Sequence, residues 1–135
     1  MRILSHRGYW LSPEEKNREA AFSRSFDLGF GCETDLRDSG GEIVISHDMA
    51  TGGELTFEEL LQIMDGRNLP LALNIKADGL AEGMLEILNQ HGHTNYFTFD
   101  MSIPEMVRQT DMKIKVYAPV SDVNQTPFLL KKSFG

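Results

Sequence analysis

The sequence has 135 residues, of which 41% are hydrophobic and 24% charged, and its formal net charge is −7. This composition excludes a disordered chain, and no apolar run approaches the roughly 20 residues that a transmembrane helix needs. The acidic charge and the absence of a Lys/Arg cluster exclude nucleic acid as the expected partner, and the N-terminus lacks the features of a secretory signal, which indicates the cytoplasm.

Short apolar runs suited to buried strands alternate with helix-like stretches of about a dozen residues. The runs are RILSH (2–6), GCETDL (31–36), EIVIS (42–46), LALNI (71–75), YFTFD (96–100) and KVYA (115–118). Such alternation is typical of β/α units around a mainly parallel sheet. The single cysteine, Cys32, lies in one of the apolar runs and is predicted to fill the core. Three helix starts are indicated by a hydroxyl residue three positions before a Glu, which is the pattern of a capping box, at Ser12 and Glu15, Thr56 and Glu59, and Ser102 and Glu105.

The segment DSGGE (38–42) is too short for a helix and is rich in residues that tolerate positive φ. It therefore predicts a hairpin between the second and third strands, which would bring Glu33, Asp35 and His47 close together. With no repeat or linker, residues 1–135 are predicted to form a single domain. About five β/α units plus a hairpin fall short of the roughly 250 residues of a complete eight-stranded barrel, so the sheet is expected to be open or incomplete.

Polar residues follow nearly every predicted strand, where the carboxyl ends of parallel strands carry the sites of β/α proteins. These residues are His6, Arg7, Glu33, Asp35, His47, Asp48, Asn74, Lys76 and Asp100. A lone carboxylate pair is more often a solvated face and a lone His-Asp more often a cap, but the coincidence of so many at strand ends favours a site. His91 and His93 lie where a loop on the opposite face is expected, and they are predicted to be surface residues.

The strand-end residues divide by chemistry into three groups. Glu33 and Asp35 project from one face of a strand and can hold a hard divalent cation. Arg7 and Lys76 are donors of the kind that bind phosphoryl oxygens, and two histidines from different strands can take up and supply a proton. Together these groups describe phosphodiester cleavage.

The motifs resemble those of the glycerophosphodiester phosphodiesterases, whose pattern is HRG, then E-x-D, then HD, then a strand ending in E-x-K. The matching segments are SHRG (5–8), ETD (33–35), SHD (46–48) and LNIK (73–76). Asn17 also resembles the Asn of the family's Glu-Asn-Thr helix, although Lys16 replaces its Glu. Asn74 stands where the family has a third metal-binding carboxylate.

The resemblance implies a TIM-type (β/α) barrel, a Mg²⁺ or Ca²⁺ cofactor, and hydrolysis of a small glycerol-type phosphodiester from lipid metabolism to an alcohol and a phosphomonoester. It implies that His6 and His47 are the acid/base pair, that a substrate hydroxyl attacks phosphorus to give a cyclic phosphate, and that water then opens the ring. Arg7 and Lys76 would bind phosphate. Glu33 and Asp35 would bind metal, with Asn74 and Asp100 as further ligands and Asp48 in a supporting role.

Two alternatives remain open at this point. The chain could be a truncated, non-catalytic fragment or ligand-binding remnant of such a barrel that keeps the motifs but cannot close its site. Separately, an open sheet edge would favour self-association. It could instead act as a phospholipase on a choline or inositol phospholipid. That activity usually requires apolar loops that meet the membrane, and only Tyr9 and Trp10 suggest one here.

Overall fold

The computed structural model describes residues 2–117 and 128–131, with Arg2 and the segment 128–131 described by their backbone alone. The strands are β1 (Arg2–His6), β2 (Gly31–Ser39), β3 (Glu42–Ile45), β4 (Leu71–Ile75), β5 (Tyr96–Phe99), β6 (Val116–Tyr117) and β7 (Phe128–Lys131). The helices are α1 (Glu19–Asp27), α2 (Phe57–Met64), α3 (Ala81–Gln90) and α4 (Ile103–Asp111), with a short 3₁₀ helix at Pro13–Glu15. All six predicted strands are present, although Ala118, the last residue of the sixth run, lies outside the described residues.

The described strands form one sheet in the order β6-β5-β4-β2-β1-β7, with β3 paired to β2. Every pairing is parallel except that of β2 with β3. The strand β7, which the sequence pattern did not predict, pairs with β1 from the register Arg2 with Phe128 to Ser5 with Lys131. The described sheet is therefore open between β6 at one edge and β7 at the other. None of the described helices is long and apolar enough to cross a membrane.

The two faces of the sheet bury different side chains because residues alternate along each strand. The outer face packs against the helices through a large apolar core that includes Phe22, Phe26, Cys32, Leu36, Phe57, Leu60, Leu71, Leu73, Ile75, Met84 and Leu88. The inner face carries a small second cluster of Leu4, Ala72 and Phe97, against which Phe99 and Tyr117 pack. Cys32 is fully buried, which confirms its predicted place in the core. Beyond Gly31 and Ala72, the inner positions of β2 and β4 are polar.

The hairpin is present as predicted. Its strands β2 and β3 pair antiparallel from Leu36 with Ile45 to Ser39 with Glu42. The turn between them is Gly40-Gly41, and both residues have positive φ, 57° and 88°. A two-residue turn with both φ values positive matches the twist of the paired strands, and glycine adopts it without strain.

The capping predictions were correct for one helix and partly correct for another. At α2 the Thr56 hydroxyl accepts a hydrogen bond from the Glu59 N–H, and the Glu59 carboxylate accepts one from the Thr56 N–H. At α4 the Ser102 hydroxyl accepts from the Glu105 N–H. The buried Glu105 carboxylate, however, accepts from the Gly79 N–H and from the Gln109 amide, so this helix start is tied to the loop after β4.

The predicted capping box at Ser12 is wrong. Ser12 makes no side-chain capping bond, only the 3₁₀ turn follows it, and α1 begins at Glu19. The Glu15 carboxylate accepts from the Leu11 N–H and lies 3.1 Å from the Arg24 guanidinium. A salt bridge to the following helix has therefore replaced the reciprocal bond of a capping box.

The prediction that His93 is a surface residue is also wrong. Only 4% of His93 is exposed, and its Nε2 lies 3.1 Å from the Asn95 carbonyl oxygen. Burial lowers the pKa of this imidazole. His91 is half-buried, with its Nε2 3.7 Å from a Glu58 carboxylate oxygen. The two histidines pack the loop between α3 and β5, and both line one small cavity next to Leu61 and Met64.

Candidate active site

Polar side chains occupy the inner face of the sheet at the carboxyl ends of β1, β2 and β4. His6 is the Cα partner of Glu33, and Asp35 is the Cα partner of Asn74. Residues that are partners on adjacent strands project to the same face, and so do residues two apart on one strand. The four side chains therefore form a continuous polar patch, as the sequence pattern predicted.

Glu33 lies at the centre of this patch. Its Oε1 is 3.8 Å from His6 Nε2, and the residue is only 4% exposed. The pKa of Glu33 is raised to about 7, mainly by burial and to a smaller extent by repulsion from the Asp35 carboxylate. The charges of Arg7 and Lys76 and a hydrogen bond from the Asn74 amide lower that pKa and offset part of the increase. Near neutral pH Glu33 is therefore only partly ionised, and an added cation could displace the remaining proton.

The loop after β1 is shaped to bring Arg7 onto Asp35. Arg7 has a φ of 58°, its N–H donates to the Glu33 carbonyl oxygen, and its Nε lies 3.2 Å from Asp35 Oδ2. Gly8 follows with a φ of 89°, and a Cβ there would lie 2.6 Å from the Ala21 Cβ. Only glycine allows the loop to approach α1 this closely. The HRG motif is thus a backbone requirement as well as a set of functional groups.

Asn17 contacts the same oxygen of the Asp35 carboxylate as Arg7 does. Its side-chain amide donates to Asp35 Oδ2 at 3.1 Å, and its side-chain oxygen accepts from the Thr34 hydroxyl at 2.7 Å. Its backbone N–H donates to the Arg7 carbonyl oxygen at 2.9 Å, with a φ of 59°. The sequence indicated Asn17 only through the family resemblance. The structure shows that it connects the Arg7 loop to β2.

Four buried side-chain atoms of this patch lack a hydrogen-bond partner: Arg7 Nε, Glu33 Oε1, Asp35 Oδ1 and Asn74 Oδ1. Arg7 Nε is close to Asp35 but does not have the geometry of a hydrogen bond. Buried polar atoms are normally satisfied, so three such oxygens at neighbouring positions indicate a missing partner. Within the part of the chain that the structure describes, no three His, Cys, Asp or Glu side chains are grouped as metal ligands. A three-oxygen cation site therefore needs the Asn74 amide, and its donor set suits a hard divalent cation.

Lys76 and Asp100 form a second part of the patch. Lys76 Nζ lies 3.6 Å from Asp100 Oδ2, and the Asp100 side chain is 58% exposed. Asp100 therefore approaches the site through Lys76, and no described contact joins it to Glu33 or Asp35. Asp78 is exposed and accepts a hydrogen bond from the Ser102 hydroxyl, which ties it to the start of α4.

His47 lies just beyond β3, on a loop whose backbone begins beside Asp35. The Ser46 N–H donates to the Asp35 carbonyl oxygen at 3.1 Å. The His47 ring is 45% exposed, and its Nδ1 lies 3.3 Å from a carboxylate oxygen of Asp48, which is itself 94% exposed. The His47 ring is thus partly exposed to solvent and lies beside Asp48. The structure brings seven predicted residues into a connected patch and leaves His47 and Asp48 at its rim.

Arg37 is a site residue that sequence reasoning missed. It lies on the same face of β2 as Asp35, two residues further on. Its guanidinium donates to the His47 carbonyl oxygen at 3.0 and 3.2 Å and to the Lys76 carbonyl oxygen at 3.5 Å. Arg37 therefore holds the two loops that carry His47 and Lys76 in a fixed relation. Alternating polarity within a buried strand was the only signal that could have identified it.

Comparison with known proteins supports the fold through solved structures and not through sequence. No protein-family model and no curated protein matches the sequence. Among solved structures, a phosphodiesterase from Oleispira antarctica in complex with the product sn-glycerol-3-phosphate is similar over 87% of this chain, with a TM-score of 0.67 and 18% identity. A glycerophosphodiester phosphodiesterase from Agrobacterium tumefaciens is similar over 86%, with a TM-score of 0.68 and 19% identity.

These similarities confirm the predicted fold class, a partial TIM-type (β/α) barrel, here with an open sheet. The chain spans 64% of the length of each of the two solved structures. At this identity the comparison is one of fold, and the chemistry of the chain has to be argued from its own residues.

Proposed function

We propose that this chain carries the catalytic residues of a phosphoric diester hydrolase that cleaves a glycerol-type phosphodiester to an alcohol and a phosphomonoester. The observation that carries the proposal is the set of three buried, unpartnered oxygens on Glu33, Asp35 and Asn74, beside Arg7 and Lys76. Oxygen ligands for a cation, beside positively charged hydrogen-bond donors for phosphate, suit an anionic phosphodiester. The two solved structures with this fold support the same class, since both are phosphodiesterases and one holds sn-glycerol-3-phosphate.

The cation proposed for this site is Mg²⁺ or Ca²⁺, both of which prefer oxygen ligands. Glu33, Asp35 and Asn74 would hold it, and Asp100, which is paired with Lys76, is the candidate for a further carboxylate ligand. When bound, such a cation neutralises and orients phosphoryl oxygens. Arg7 and Lys76 would bind the remaining phosphoryl oxygens through charge-assisted hydrogen bonds.

The proposed chemistry divides the work between His6 and His47. One imidazole takes the proton from a neighbouring hydroxyl of the substrate as that oxygen bonds to phosphorus, and the other gives a proton to the departing alkoxide as the phosphorus–oxygen bond breaks. The cyclic phosphate is then opened by water, with the two proton transfers reversed. His6 lies against Glu33, and His47 lies on the loop that Arg37 holds.

The test uses the p-nitrophenyl ester of glycerol 3-phosphate with Mg²⁺ or Ca²⁺, and an analogue in which the neighbouring hydroxyl is replaced by hydrogen. Release of nitrophenol from the first compound alone, abolished by a chelator, is the expected result. His6→Ala and His47→Ala should each lower turnover by about 10² while leaving the fold intact. His91→Ala, which alters a histidine far from the sheet end, should be without effect. Near-normal turnover in either of the first two variants would contradict the assigned role.

A second candidate is a non-catalytic, ligand-binding remnant of a barrel. It is favoured by the open sheet and by the exposed position of His47, which lies at the rim and not within the connected patch. The same assay separates the two candidates. A remnant would bind the cation and a phosphate ester, detected by calorimetry, but would release no nitrophenol.

A further inference from the structure

Aromatic side chains continue the polar patch across the inner face of the sheet. The register runs from Asp35 to its partner Asn74, from Asn74 to its partner Phe99, and from Phe99 to its partner Tyr117. All four residues therefore project to one face, in a row that crosses β2, β4, β5 and β6. Adjacent strands are about 4.8 Å apart, so Phe99 follows Asp35 at about 10 Å. The row changes from carboxylate to amide to aromatic within that distance.

The aromatic end of the row is ordered by its own packing. Phe97, which is 6% exposed, stacks on Tyr117 with 4.3 Å between ring centroids and 20° between the ring planes. The Phe99 ring lies 6.1 Å from that of Phe97 and is tilted by 42°. Phe99 and Tyr117 are only half-buried. A packed apolar surface therefore lies beside Asp35 and Asn74, and part of its area is exposed.

We propose that Phe99 and Tyr117 form the subsite for the organic group of the departing alcohol, and that this group is uncharged and apolar. The inference rests on the proposed function, because it takes the phosphate position from Arg7, Lys76 and the three oxygens. A diester held there can extend one of its ester groups along the row towards β5 and β6. The alcohol carbon chain then replaces water on the exposed part of the two rings, which is favourable in proportion to the apolar area covered.

The charges around the rings favour an uncharged alcohol over choline. Aromatic faces attract quaternary ammonium groups, but Lys115 Nζ already lies 5.4 Å from the centre of the Tyr117 ring. Lys76 adds a second positive charge at the end of β4, and the Asp100 carboxylate is paired with it, while the Glu33 and Asp35 carboxylates are assigned to the proposed cation. A cationic alcohol would therefore be repelled by the ammonium groups of Lys76 and Lys115, and the Asp100 carboxylate that could attract it is already paired with Lys76. An alkyl or aryl alcohol carries no such penalty.

The experiment measures binding by calorimetry with Mg²⁺ present, so that it does not depend on turnover. The ligands are methylphosphonate, which reaches only the phosphate position, hexylphosphonate, which extends along the row, and phosphocholine. Hexylphosphonate should bind on the order of tenfold more tightly than methylphosphonate, as expected when roughly two methylene groups are buried. Phosphocholine should show no such gain.

Phe99→Ala should remove most of the hexyl advantage and leave methylphosphonate affinity unchanged. Phe99→Leu, which keeps an apolar surface, should retain part of it. Tyr96→Ala is the matched control, because Tyr96 lies on the same strand and packs against the outer core. The ratio of the two affinities is the readout, since partial unfolding lowers both equally.

Equal affinities for the methyl and hexyl ligands in the unaltered protein would overturn the subsite, as would a hexyl advantage that survives Phe99→Ala. A larger gain with phosphocholine than with hexylphosphonate would overturn the uncharged alcohol. Failure of the proposed function has a different result: methylphosphonate does not bind, or it binds but no nitrophenol is released in the turnover assay, while a Phe99-dependent affinity for the hexyl chain remains.

Discussion

Replacement of Asn17 tests how the site is held together. Its side chain makes two buried hydrogen bonds, one to the Asp35 carboxylate and one from the Thr34 hydroxyl, and its backbone is left-handed with a φ of 59°. Asn17→Gly removes the side-chain bonds but tolerates the backbone conformation. Asn17→Ala removes the same bonds and also places a Cβ in the left-handed region. The pair of variants therefore separates the side-chain contribution from the backbone one.

The magnitudes follow from these contacts. A hydrogen bond to a charged group contributes about 2 kcal/mol and a neutral one about 1 kcal/mol, so Asn17→Gly should lower the free energy of unfolding by about 3 kcal/mol. A non-glycine residue without a polar side chain costs about 1 kcal/mol more in the left-handed region, so Asn17→Ala should lose about 4 kcal/mol. Against a typical total of about 5–15 kcal/mol, either loss is large.

Urea denaturation of the metal-free protein measures both values. Asn89→Ala is the control, because Asn89 is exposed on α3 and its replacement should change the free energy of unfolding by less than about 0.5 kcal/mol. A loss below about 1 kcal/mol for Asn17→Gly would show that the buried contacts contribute little. Equal losses for the glycine and alanine variants would refute the assigned backbone conformation.

Three further predictions concern charge and assembly. The pKa of Glu33 in the folded protein is raised to about 7. Protonation of Glu33 therefore stabilises the fold fully below about pH 4.5, and this stabilisation is lost as pH rises through about 7. The metal-free protein should therefore lose about 2–3 kcal/mol between about pH 5 and about pH 8 in urea titrations, and Glu33→Gln should abolish this dependence. Asp100→Asn should weaken cation binding, followed by thermal shift and by activity, more than Asp78→Asn does; equal effects would show that the wrong carboxylate was chosen. The isolated 135-residue chain should be oligomeric or marginally stable in light scattering and thermal melts because its sheet has open edges, and a monodisperse monomer with a sharp melt would contradict this.

Local patterns predicted the parts of the fold that local forces determine. The apolar runs predicted six strands, Gly40-Gly41 predicted the hairpin, and Thr56 with Glu59 predicted a capping box that is fully formed. In each case the deciding interactions lie within a few residues along the chain. The strand-end positions likewise indicated the polar patch, because parallel strands bring their carboxyl ends to one edge.

The errors arose where distant residues compete for a side chain. Arg24 on α1 takes the Glu15 carboxylate that the Ser12 capping box required. The burial of His93 depends on how the loop after α3 packs, which its polar neighbours did not reveal. The strand β7 pairs with β1, which lies more than 120 positions away in the sequence. Arg37 bonds to the loops that carry His47 and Lys76, and its position on β2 alone does not reveal these contacts.

The unsatisfied atoms of the site explain why its binding and its stability are linked. Burying the Glu33 and Asp35 carboxylates together costs free energy, and Arg7 and Lys76 offset only part of it, since the pKa of Glu33 is still raised. Asn17 reduces the cost at one Asp35 oxygen and leaves the other without a partner. A cation that binds the folded form alone would displace the Glu33 proton and supply the missing partner, so binding would stabilise the fold by mass action. The same oxygens that weaken the metal-free protein are therefore the ones that would hold its cation.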